Sequence, residues 1–161
     1  MSQEEFRPTA NTFKLLFGEY VEDGLLVGYP DVELMIGWAW LYALHVRSCI
    51  ARKKLWQAEY MLSGMRDKVL TLACLRHGLP TSEGRGLDQL PLSVTKSLKG
   101  GLVRWLDTEE LSLAFKVVSK ALIAEIGYID PGLAARLKPV LKALSDGSTI
   151  KSARREPRSA R

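Results

Sequence analysis

The sequence predicts an all-α protein, a four-helix bundle with one long crossover, and three observations lead there. The stretch Arg52–Leu79, RKKLWQAEYMLSGMRDKVLTLACLRHGL, has no Pro and, before Gly78 at its end, only Gly64 as a breaker, so it reads as one long central helix. Its second half, Lys68–Leu75, is apolar nearly all round, which a helix tolerates only when other elements surround it. Further on, Leu111, Phe115, Val118, Leu122 and Ile126 recur three or four residues apart, as on one face of an amphipathic helix. Composition agrees: 161 residues, 47% hydrophobic and 25% charged, make one ordinary folded domain with a single core.

In chain order, residues 1–30 hold a candidate strand, Thr12–Phe17, an acidic turn and a second apolar run, Leu25–Tyr29. Two strands alone are marginal, so this segment reads as a short extended or hairpin arm, the remnant of a sheet domain. The helical domain then occupies residues 31–147. Asp31 is a good N-cap for a first helix running to about Arg52, with Leu34, Trp38, Leu41, Ala43, Leu44 and Cys49 expected on its buried side. Lys53 and Lys54 mark the turn into the central helix. That helix should stop at Gly78, which suits a left-handed C′ position, with Pro80 just beyond. From Pro80 to Leu106 Gly, Ser, Pro and charged residues predict a crossover with one short helix near Leu92–Leu98. Asp107-Thr-Glu-Glu110 has the form of a capping box opening a third helix, Thr108–Ile126. Asp130-Pro131 opens a fourth, which ends near Ser145 before Gly147.

The net charge of +5 suggests a nucleic-acid binder until the charges are located. The last eleven residues, KSARREPRSAR, carry +4 of it, leaving +1 for residues 1–150. The folded body therefore has no basic excess for phosphate backbones, and residues 148–161 read as a disordered basic tail. Cys49 and Cys74 lie in apolar helical stretches, as reduced core thiols of a cytoplasmic protein do. No run of about 18 apolar residues is evident, and MSQEEFRP lacks a signal-peptide core. His45 and His77 have no metal-ligand spacing, so no metal site is expected. Gly78–Gly86, GLPTSEGRG, lacks the Gly-Lys-Ser/Thr ending of a phosphate-binding loop.

The candidate site lies on the first half of the central helix, where Trp56, Glu59 or Tyr60, Ser63 and Arg66 or Asp67 recur at helical spacing and stack on one face. Glu59 has two readings. Among Trp56, Tyr60, Met61 and Leu62 a desolvated carboxylate could serve as a general base. Alternatively it pairs with Arg66 or Arg52 as structure, the reading the residues alone favour. Trp38, Trp40, Trp56 and Trp105 read as core and rim aromatics, with Trp40 and Trp56 also able to floor a ligand groove.

LWQAEYMLSGMRDKVLTLACLRHGLP, with LHVRSCIARKK before it and LDQLPLSVTKSLKGGLVRWLDTEELSLAF after it, resembles the helical C-terminal domain of bacterial nucleotidyltransferases related to the kanamycin and lincosamide enzymes. The resemblance spans about residues 11–145 and is most specific in the Trp-Gln-Ala-Glu…Arg-Asp segment. It implies an HEPN-like substrate-binding bundle beside a sheet domain whose Gly-Ser and Asp-x-Asp motifs hold Mg²⁺ and a nucleoside triphosphate. No Gly-Ser followed by Asp-x-Asp occurs here; Asp31-Val-Glu33 sits at a helix start and Gly147-Ser148 has no acidic pair after it. The resemblance thus implies a module inactive alone, taking Mg²⁺ and nucleotide only with a catalytic partner domain. The acceptor would be a small hydroxylated molecule such as an aminoglycoside. Glu59 would be the base for its hydroxyl, Trp56, Tyr60, Ser63, Arg66 and Asp67 would bind or orient it, and the module would work as a homodimer. The alternative is an HEPN-type interaction module, a toxin or antitoxin partner. The RNase pattern of that class, Arg, four to six intervening residues, then His on one helix, is missing, since Arg66 is too far from His77 and Arg76 adjoins it.

Overall fold

The computed structural model describes residues 31–147. Among them the protein is all-helical, without a strand: α1 (Val32–Ala51), α2 (Leu55–Arg76), α3 (Leu92–Leu98), α4 (Thr108–Ile129) and α5 (Pro131–Ser145). Single 3₁₀ turns at Ser82–Gly84, Leu87–Gln89 and Lys99–Gly101 punctuate the crossover. The expected N-terminal arm and basic tail lie outside the described residues.

Caps set most of the boundaries. The Asp31 carboxylate accepts from the N–H groups of Glu33 (2.9 Å) and Leu34 (3.2 Å), and that of Asp130 from Leu133 (2.9 Å) with Pro131 opening α5. Helix α2 ends in a Schellman motif. Leu79 N–H donates to the Cys74 carbonyl and Gly78 N–H to Leu75, with Gly78 at φ +65°.

The long helix expected from Arg52 begins at Leu55 instead. Helix α1 closes with the same motif as α2, Lys54 N–H donating to Cys49 and Lys53 N–H to Ile50, but a lysine at φ +55° occupies the left-handed position. The turn falls at Lys53 and Lys54, as expected; without a glycine there, its left-handed geometry left no mark in the sequence. The capping box at Asp107 forms by half. Asp107 accepts from Glu110 N–H (2.8 Å), but the Glu110 carboxylate turns to Arg104, taking its backbone N–H (3.2 Å) and its Nε (2.9 Å). Asp107 N–H goes to the Trp105 carbonyl.

One core joins the four long helices. Helix α1 packs on α2 and α4 on α5, and α2 against α4 connects the pairs. The expected α4 stripe, Leu111, Phe115, Val118, Leu122 and Ile126, is wholly buried. The second half of α2 is enclosed as its composition requires. Val69 and Leu72 enter the main core, while Ala73 and Cys74 form a second cluster with Leu90 of the crossover.

Helix α1 meets the expectation only in part: Ala43 and Cys49 are buried as expected, but the larger side chains are not. Leu34, Trp38, Leu41 and Leu44 are exposed, and Ile36, Ala39, Ala43, Val46, Cys49 and Ile50 are buried. Both faces are apolar, so periodicity did not choose between them; close approach did. Ala39 and Ala43 let the α1 backbone come near α2, where the Tyr42 ring lies 2.9 Å from where a Cβ on Gly64 would be. By length and composition α1 also meets the measure of a membrane-crossing helix, contrary to the sequence reading, although one face of it belongs to this core. Trp38, Trp56 and Trp105 are exposed as well, leaving Trp40 as the tryptophan packed against the core.

Candidate functional site

Arg66 is the hub of the polar face of α2. Its Nη1 donates to the Gly101 carbonyl (2.8 Å) and its Nη2 to Ser63 Oγ (3.0 Å), while Glu59 Oε1 stands 4.0 Å from Nη2. Gly101 is required for this. A Cβ there would lie 2.7 Å from Val118 Cγ2, so only glycine lets the turn rest on α4 and point its carbonyl at Arg66. The arginine thereby ties the crossover to α2.

Of the residues singled out in the sequence, Glu59, Ser63 and Arg66 are thus brought together. Trp56 and Tyr60 are 82% and 69% exposed, and 35% of the Glu59 side chain is open to water, so the apolar surround expected for that carboxylate is not there. Asp67 is exposed and paired with Lys68 Nζ (3.0 Å).

Arg66 also lines a groove of about 620 Å³ between α2, the crossover and α3. Leu70, Leu87, Leu92, Leu98 and Leu102 make its apolar wall; Asp88, Thr95, Lys96 and Lys99 supply polar groups. An apolar cleft of this size with a few polar groups is what small-molecule sites have in common.

A second polar cluster was not anticipated. Arg76 Nε and Nη2 donate to the two carboxylate oxygens of Glu125, each at 2.9 Å, and the guanidinium carbon lies 4.2 Å from the centroid of the Tyr128 ring. Glu125 is 6% exposed. Bidentate, stacked and mostly dry, this pair joins the end of α2 to α4. The hydrogen-bonded carboxylate raises the affinity of Arg76 for its proton. The signal was Glu125 itself, an acid in register with Val118 and Leu122 on the buried stripe of α4. The pair borders a smaller cavity of about 280 Å³, with His77, Ser93 and Ser97.

Elsewhere, the Arg104 guanidinium holds the Glu110 carboxyl below the usual carboxylate range, and burial pushes the Cys74 thiol up. Both cysteines are free and buried. Among the described residues no group of three or more His, Cys, Asp and Glu side chains could hold a metal ion. The geometry defines an all-helical protein with an apolar, basic-rimmed groove. No family model, curated protein or solved structure matches the chain.

Proposed function

We propose that residues 31–147 are a four-helix substrate-binding module of the nucleotidyltransferase type, which presents a small hydroxylated acceptor to a separate catalytic domain. The observation that carries this reading is the groove at Arg66, with its apolar wall and its polar groups Thr95, Lys96, Lys99 and Asp88. The resemblance around Trp56–Asp67 supports the enzyme class. Arg66 links the groove to Glu59, which in this reading takes the proton of the acceptor hydroxyl, and the catalytic domain brings Mg²⁺ and the nucleotide. Two lysines and an arginine against one aspartate repel a polycation, so a neutral or anionic acceptor with an apolar body suits the groove better than an aminoglycoside. The buried free thiols fit work in the cytoplasm.

Amide NMR shifts of the labelled chain, titrated with a panel of hydroxylated compounds, test this. The reading expects changes concentrated at Arg66, Thr95, Lys96 and Leu102, and nucleotidyl transfer to the same compounds once a catalytic domain is added. Shifts that never fall in this groove would overturn it.

One observation favours a second reading, an HEPN-type interaction module working as a dimer. Leu34, Trp38, Leu41 and Leu44 place exposed apolar groups along α1, the kind of face a partner helix covers. Since the first reading also expects a homodimer, light scattering is joined to the titration above: a dimer dispersed by Trp38→Glu that binds no hydroxylated compound supports the second reading, and a monomer at tens of micromolar concentration, on the order where weak interfaces already populate, opposes it.

A further inference from the structure

Helices α4 and α5 lie side by side, and a groove of about 450 Å³ follows their junction. Its rim is basic. Lys116 and Lys120 stand one turn apart on α4, Lys138 and Lys142 one turn apart on α5, and all four line the groove. Like charges at that spacing destabilise a helix, and here two such pairs share one cleft. Asp146 answers Lys116 at 3.2 Å; among the described residues no carboxylate pairs with Lys120, Lys138 or Lys142.

The floor adds an unspent hydrogen-bonding group. Ser119 lines the groove, is 2% exposed, and its hydroxyl has no hydrogen-bond partner. A serine within a helix ordinarily bonds the carbonyl four residues back, as Ser112 does to Thr108 in α4 at 2.6 Å. Buried hydroxyls are rarely left unpaired, because desolvation then goes uncompensated. Ile123 and Ala124 give the remainder of the floor its apolar character.

The geometry points to this groove as a binding site for a phosphate-bearing organic anion of about nucleotide size. Lysine ammonium groups are point-charge donors suited to phosphate oxygens. A phosphomonoester carries close to two negative charges at neutral pH and three acceptor oxygens, so it answers several lysines at once where a carboxylate answers one. Ser119 would donate the further hydrogen bond, and Ile123 and Ala124 would carry the apolar body of the ligand. The site is separate from the acceptor groove at Arg66 and does not depend on that reading.

Calorimetric titration of the full chain with ADP, pyrophosphate and adenosine tests the inference, using Lys120→Ala/Lys138→Ala/Lys142→Ala, Ser119→Ala, and Lys96→Ala/Lys99→Ala as a control in the other groove. ADP and pyrophosphate should bind at one site and adenosine should not. The triple variant should weaken ADP by at least about tenfold, given that charge-assisted bonds are the strong ones. Ser119→Ala should weaken it several-fold while the melting temperature of the free protein holds or rises, since an unpaired buried hydroxyl is removed. The control should bind as the parent does. The inference is overturned by ADP binding that survives the triple variant, by an equal loss in the control, or by no phosphate probe binding at millimolar concentration, the order of the weakest specific sites. Should the triple variant fail to fold, Ser119→Ala decides: ADP affinity equal to the parent's overturns the site.

Discussion

Two arginines of α2 are held in opposite ways. Arg76 gives one edge of its guanidinium, Nε and Nη2, to both oxygens of one buried carboxylate, with an aromatic ring over its face. Arg66 gives its short bonds to a backbone carbonyl and a serine, and meets Glu59 only at 4.0 Å. Glu125 has no exchangeable partner, whereas Glu59 keeps a third of its side chain in water. The first pair is committed to joining α2 and α4. The second leaves a carboxylate and part of a guanidinium available beside a groove. A polar cluster in this protein is therefore a better candidate for ligand contact the less completely it is satisfied from within.

The comparison breaks most readily at Glu125. Glu125→Gln leaves Arg76 without its counter-charge, and the loss of stability should be about 3 kcal/mol, the low end for a broken buried pair because Arg76 retains some solvent. Urea unfolding measures it; a loss below about 1 kcal/mol, typical of exposed pairs, would show that this pair is no more committed than the other.

Next in size is Gly101→Ala. The added methyl meets Val118 and displaces the carbonyl that holds Arg66, at a cost of about 1–3 kcal/mol, as for other overpacked sites. A tolerated alanine would mean that Arg66 does not anchor the crossover.

Lys53 and Gly78 extend the contrast to the helix ends. Both sit at the left-handed position of the same motif, one bearing a Cβ and one not. Lys53→Gly should stabilise by roughly 1 kcal/mol, the cost of a side chain in that conformation less the extra freedom of glycine in the unfolded chain. Thermal unfolding reads the gain, and a loss would mean that the lysine side chain holds something.

These same residues show how far the sequence could be read. Caps at Asp31, Asp107, Asp130 and Gly78 are local chemistry, and so is the stripe of α4; each was legible and each placed a helix end or a face. The turn at Lys53 and Lys54 was legible but its left-handed lysine was not, because any residue can be forced left-handed when the surrounding hydrogen bonds require it. The inward face of α1 was legible only at Ala43 and Cys49, because two apolar faces compete and the choice depends on the fit of Ala39, Ala43 and Gly64 across an interface. The cluster of Glu59, Ser63 and Arg66 could be seen because its members are helical neighbours. Arg76 and Glu125 come from different helices, and only the acid on a buried stripe hinted that a cation must reach it.

Acid should expose the smallest effect. Arg104 depresses the Glu110 carboxyl, so the pair contributes stability above the ordinary carboxylate range, near pH 4 in model peptides at about that value, and loses it as pH falls through the lower folded value. Glu110→Gln should be less stable than the parent at neutral pH, with the gap closing in acid. A gap independent of pH would mean that the hydrogen bonds of Glu110, and not its charge, carry the contribution.

The most direct test sets the two carboxylates of α2's arginines side by side in one urea-unfolding experiment. Glu59→Gln keeps shape and most hydrogen bonding, and should stay within about 1 kcal/mol of the parent, while Glu125→Gln falls by about 3 kcal/mol. A Glu59→Gln variant as unstable as Glu125→Gln would contradict the account, because Glu59 would then belong to the scaffold.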